Sequence, residues 1–195
     1  MQLTIILAVI NVIVFFVLSF GGMTESATYM LERGAMFVPY VVENGEYYRF
    51  FTCMFLHFSF SHLLNNMVTL VFMGRNVELT VGKIRFLIIY FLSGLGGSVL
   101  SFAGELATGE YVVSAGASGA IFGLTGALLA LALINRGQAG QFSLRDMILM
   151  IVLSLYLGFT SQGVDNLAHV GGLIIGFLVT IFVVGIPKYM SRRQL

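Results

Sequence analysis

The sequence predicts an all-α integral membrane protein, a bundle of six transmembrane helices. Three observations carry that expectation. Of 195 residues, 58% are hydrophobic and only 10% are charged, and the mean hydropathy is +0.95. An average soluble domain is about 25% charged, so lipid must be the solvent for this much apolar surface. The apolar residues fall into runs of membrane length. Glycine is abundant, with 23 residues beside 10 methionines, which suits helices packed backbone to backbone in a membrane.

A span needs about 20 mostly apolar residues, within a range of roughly 17–25. Six runs qualify: 3–20, 50–73, 86–103, 112–134, 144–160 and 167–186. The first has no basic head, and it outlasts the roughly 7–15 apolar residues of a signal peptide, so it reads as an uncleaved span. A long connection, 21–49, follows. It mixes Tyr29, Met30, Leu31, Phe37, Val38, Pro39 and Tyr40 with scattered charges, a pattern suited to the membrane interface. The second, third and fourth runs follow with short connections. The fifth is the weakest, because Arg145 and Asp146 sit at its start. The sixth is rich in glycine. The whole of 1–195 reads as one domain.

An even number of spans puts both termini on one side. The connections 74–85 and 135–146 and the C-terminal tail hold Arg75, Lys83, Arg85, Arg136, Arg145, Lys188, Arg192 and Arg193, eight of the ten basic residues. The other face holds Arg33 and Arg49. Counting Lys and Arg alone, both termini are expected in the cytoplasm. The net charge of +1 is too small to suggest a nucleic-acid partner. The single cysteine, Cys53, cannot form an internal disulfide and reads as packing.

Two residues stand out for chemistry. Ser118 lies in Gly116-Ala117-Ser118-Gly119, six residues into the fourth run. His169 lies in Ala168-His169-Val170-Gly171-Gly172, two residues into the sixth. An ionisable side chain in hydrocarbon marks function by default. Both runs enter from the same face, so the two residues share a shallow outer depth. Gly119 and Gly123 form one small-x-x-x-small pair, and Gly172 and Gly176 another, so the two helices can approach closely. A serine within reach of a lone histidine is the minimum apparatus for nucleophilic hydrolysis. His62 and Asn66 are four apart on the second run and share a helix face. With the Ser118 backbone N–H they could cradle an oxyanion.

These motifs resemble those of the rhomboid intramembrane serine proteases, in their basic six-helix bacterial form. His-x-x-x-Asn is present as His62 and Asn66, Gly-x-Ser-Gly as Gly116 to Gly119, and Ala-His-x-x-Gly as Ala168, His169 and Gly172. Gly-x-x-x-Glu-x-x-x-Gly is present after the second run as Gly74, Glu78 and Gly82. The resemblance implies Ser118 as nucleophile and His169 as general base, a dyad with no carboxylate. It implies an oxyanion hole of His62, Asn66 and the Ser118 amide, with Gly116, Gly119, Phe122 and Gly172 supporting the site. Phe122 stands where many members carry Tyr under the histidine ring. His57 matches a second histidine of that helix and reads as structural or water-retaining. Arg49 matches a Trp-Arg element, with Tyr48 in place of Trp. The family acts on transmembrane protein substrates, which enter near the second and fifth helices. The short fifth run and the loop Ser161–Asp165 are compatible with a movable gate there. The resemblance also implies a bacterial plasma membrane, with the site opening to the outer face.

Other chemistries are disfavoured. His57 and His62 are five apart and would point apart on a helix, and no His-Glu-x-x-His is present, so no metal and no other cofactor is expected. An aspartyl protease needs two buried aspartates, yet Asp146 and Asp165 sit at span ends. A channel needs a polar path to the inner face, and polar residues thin out below the outer half. A catalytically inactive rhomboid-like binding module is the remaining alternative.

Overall fold

The apolar runs become helices, but caps and glycines set their ends more than hydropathy does. The computed structural model describes residues 2–135, 137–139, 142–160 and 163–186. Arg136, Lys188, Arg192 and Arg193 of the charge count, and Ser161 and Gln162 of the proposed gate loop, lie outside the described residues. Among the described residues the protein is all-α apart from one ribbon of two two-residue strands and an isolated bridge. Among the described residues α1 (Gln2–Gly21), α6 (Lys83–Thr108) and the stretch Asn166–Gly185 are long and apolar enough to cross a membrane. α7 (Ser118–Ile134) is a shorter apolar helix.

The long outer connection is not loose chain. It folds into α2 (Ala27–Glu32), started by the Ser26 side chain, and α3 (Val38–Asn44), with Pro39 in its first turn. Arg49, at the head of α4 (Arg49–Thr52), is only 3% exposed and pins the connection together. Its guanidinium donates to the carbonyls of Leu31 (2.8 Å) and Ala35 (2.6 Å) and to the Glu46 carboxylate (2.7 Å). It also lies over the rings of Tyr40 and Tyr48. Tyr48, standing where the family resemblance would put Trp, gives the guanidinium a ring face and donates its hydroxyl to Glu46 at 2.8 Å. The Tyr48 hydroxyl and then the Arg49 side chain hold the Glu46 carboxyl below its ordinary value.

The second run departs from the expected single span over 50–73. α4 and a 3-10 turn (Cys53–Phe55) come first, and the chain is extended at Leu56. A new helix, α5 (Phe60–Val81), then begins, because the Ser59 hydroxyl accepts from the His62 N–H at 3.2 Å. The helix runs well past residue 73. Gly74 and Glu78, expected after the helix, therefore lie inside it. Gly74 leaves room for Thr4, and Glu78 accepts from the N–H groups of Leu3 (3.2 Å) and Thr4 (2.9 Å) and from the Thr4 hydroxyl (2.7 Å). A carboxylate thus caps the start of α1, satisfying donors that a helix leaves open. Gly82 then ends α5 with φ +84°.

α7 is the centre of the bundle. It packs against α5, α6, α8 (Leu144–Thr160) and α9 (Asn166–Thr180), and most of its 17 residues are buried. Its small residues make this possible. A Cβ on Gly172 would overlap the Gly119 carbonyl, one on Gly176 the Gly123 carbonyl, and one on Gly126 the Leu173 carbonyl. The α7–α9 contact is therefore backbone on backbone. α8 is the least covered helix, with only Met147 and Gly158 buried. Arg145 and Asp146, which made this run look weak, belong to its first turn, where Asp146 accepts from the Ser143 N–H (3.1 Å) and hydroxyl (2.7 Å). Before it, β1 (Gln138–Ala139) pairs antiparallel with β2 (Phe142–Ser143).

Candidate active site

Ser118 is the first residue of α7, not a residue several places inside a helix as the apolar run suggested. Gly109 and Gly116, both at positive φ, keep the approach out of helical geometry. That approach is tied down twice. Ser114 pairs with Met36 through two backbone bonds of 2.8 and 3.0 Å, and the Gly116 N–H donates to the Cys53 carbonyl at 2.9 Å. No side chain caps the start of α7. The first N–H groups of a helix have no partner within it, so those of Ser118 and its neighbours are not engaged by α7 itself.

His169 is 8% exposed and sits in the first turn of α9. Its Nε2 lies 2.9 Å from Ser118 Oγ, within hydrogen-bond distance. The Phe122 ring stacks on the imidazole, 4.2 Å away and tilted by 11°. Phe122 is one turn beyond Ser118, so one face of α7 carries both the hydroxyl and the platform for its partner. His169 Nδ1 has no hydrogen-bond partner among the described residues. Asp165 is a helical turn away, yet its carboxylate is engaged elsewhere, with the Ala168 N–H (2.9 Å) and the Ser101 hydroxyl (2.6 Å).

His62 is in the first turn of α5, and its ring comes close to Ser118. The Cβ that Gly116 lacks would lie 3.0 Å from His62 Cε1 and Nε2 and 3.6 Å from Ser118 Oγ. Serine, histidine and glycine thus frame one small space. Asn66 is one turn further along α5 and nearly buried. It donates one amide hydrogen to the His62 carbonyl at 2.9 Å and keeps a second. His57 differs from expectation. It lies before α5 rather than on it, and its ring packs edge-on against His62, with centroids 5.0 Å apart, instead of pointing away. Ser118 itself borders a cavity of about 30 Å³, lined among others by Cys53, Ser98, Ser114, Asp165 and Ala168. That is room for about one water.

Gly119 and Gly172 bring the two helix backbones together beside the pair. Sequence reasoning missed the contribution of Asp165, Ser101 and the Cys53 carbonyl. Only Asp165 left a signal, as an N-cap residue ahead of an apolar run. Among the described residues no group of three His, Cys, Asp or Glu side chains could hold a metal ion. Chemically, the arrangement holds a hydroxyl, an imidazole nitrogen within hydrogen-bond reach of it, and a second imidazole bordering the same space.

Residues 44–186 match the family model described as the Rhomboid domain. The chain is 36% identical to rhomboid protease GluP of Bacillus subtilis over 185 residues, covering 95% of this chain and 35% of that protein. It is 39% identical to RHOMBOID-like protein 1 of Arabidopsis thaliana over 165 residues, covering 84% of this chain and 41% of that one. With RHOMBOID-like protein 5 of the same plant the identity is 41% over 151 residues, covering 76% and 48%. The chain thus spans less than half the length of each of these three relatives.

Proposed function

This chain belongs to the rhomboid family, and from that premise we propose that it is an intramembrane serine endopeptidase using Ser118 and His169. The observation that carries the reading is the 2.9 Å contact between Ser118 Oγ and His169 Nε2 at the head of a buried membrane helix. Its substrates are membrane proteins, cleaved in or near a transmembrane segment.

In the proposed reaction His169 Nε2 takes the Ser118 proton as Oγ attacks the scissile carbonyl. The Ser118 N–H, His62 and Asn66 donate to the oxyanion as negative charge develops. His169 returns the proton to the leaving amine, and the acyl-enzyme remains. Water then attacks the ester, giving its proton to His169, and Ser118 is released as the hydroxyl. Phe122 keeps the imidazole flat against α7 throughout. The distribution of basic residues supports a cytoplasmic side for both termini and an outward-facing site. The thin cover over α8 supports entry of substrate beside that helix.

Labelling by a fluorophosphonate probe tests the reading, with Ser118→Ala and His169→Ala as controls in the same lipid. The parent alone should take up the label, and it should cleave a model transmembrane substrate. A folded parent that neither labels nor cleaves would sink the protease reading and leave a membrane-protein binding module.

A further inference from the structure

His169 is held in an unusual way for a general base. In a serine–histidine–aspartate triad a carboxylate orients the imidazole by binding its second nitrogen. Here that nitrogen, Nδ1, has no partner among the described residues. The ring touches Phe122 on one face and Ser118 at one edge. Beyond those two contacts, its direction is set by the backbone that carries it.

One residue controls that backbone. Asp165 Oδ1 accepts from the Ala168 N–H at 2.9 Å, and the Asp165 carbonyl accepts from the His169 N–H at 3.2 Å. Its Oδ2 accepts from the Ser101 hydroxyl on α6 at 2.6 Å, a bond spanning 64 positions of sequence. Ser101 is 3% exposed. On the same side Gly97 faces the Ala168 carbonyl so closely that a Cβ there would come within 2.6 Å of it. The first turn of α9 thus has a glycine bed on α6 and a side-chain hydrogen bond to it from its N-cap.

Resting on the serine–histidine reading above, we propose that Asp165 and Ser101 are positioning residues, whose hydrogen bond locks the first turn of α9 onto α6 and sets His169 against Ser118. The carboxylate acts through the backbone turn and not through the imidazole. Misplacement of a reacting group by about 1 Å can cost about 10²-fold in rate. A slack first turn allows that much, because the imidazole reaches out from the helix and magnifies any rotation.

The test uses the full chain in lipid with Ser101→Ala, Asp165→Ala, Asp165→Asn and the double variant Ser101→Ala/Asp165→Ala. The readouts are kcat and KM for a model transmembrane substrate, the fluorophosphonate labelling rate, and thermal unfolding. The alanine variants should lose about 10- to 100-fold in kcat and in labelling rate, with KM unchanged. The double variant should be no worse than the poorer single one, since both break the same bond. Asn can still cap Ala168 and can donate to the Ser101 oxygen, so Asp165→Asn should regain most of the rate. Parental kcat in Ser101→Ala, additive losses, no rescue by Asn, or a rate loss that merely follows lost folding would each overturn the proposal. If Asp165→Ala does not fold, Ser101→Ala and Asp165→Asn still decide it. A parent that does not label, or a Ser118→Ala variant that still cleaves, defeats the serine–histidine reading instead.

Discussion

Gly116 carries two constraints at once, one on its backbone and one on the space beside it. Gly116 has φ +146°, and a Cβ on it would press within 3.0 Å of the His62 ring. Gly116→Ala should therefore strain the backbone by about 1–3 kcal/mol and fill the space between His62 and Ser118. Activity should fall by about 10²-fold or more, the scale of losing an oxyanion donor, with the protein still folded. Parental kcat in a folded Gly116→Ala would show that this space is not where the reaction occurs. At this scale the sequence singled out side chains whose types carry chemistry in general. Ser118, His169, His62 and Asn66 stood out by residue type and spacing. Residues acting through the backbone or across helices did not. The Cys53 carbonyl carries no residue-specific signal, and the Ser101–Asp165 bond joins positions too far apart in sequence for spacing to reveal.

Helices α7 and α9 meet with almost no side chain between them. Gly172→Leu should push the two apart, because its first side-chain atom would already overlap the Gly119 carbonyl. Such overpacking costs about 1–3 kcal/mol or more, and it should abolish labelling and cleavage while Ser118 and His169 both remain. Undiminished turnover in Gly172→Leu would refute the close contact. The two small-x-x-x-small pairs made this contact legible in the sequence. Helix ends were less legible. The run 50–73 looked uniform by hydropathy, yet a 3-10 turn and the Ser59 cap divide it. The run 112–134 began before its helix for a related reason, since apolar residues such as Val112 and Val113 line a non-helical approach. Hydropathy reports the solvent around a segment, whereas the caps report its backbone conformation.

The all-α membrane architecture was readable from composition together with the length of the apolar runs, because no soluble core could absorb so much apolar surface and the runs are long enough for helical spans. How the outer connection packs was not, since it depends on one buried arginine holding carbonyls 14 and 18 residues upstream. As a molecule whose proposed chemistry uses only its own side chains and water, it should cleave substrate at the parental rate in EDTA, and loss of cleavage there would point to a metal. The meeting of α7 and α9 also has a consequence for biosynthesis. The chain emerges from its N-terminus, so α7 enters the membrane before α9 exists. His169 reaches Ser118 only after α9 has been made and has docked on those glycines. Under the proposed reaction, a nascent chain stopped short of α9 would carry Ser118 without His169, and would be unable to cut the membrane proteins being inserted beside it.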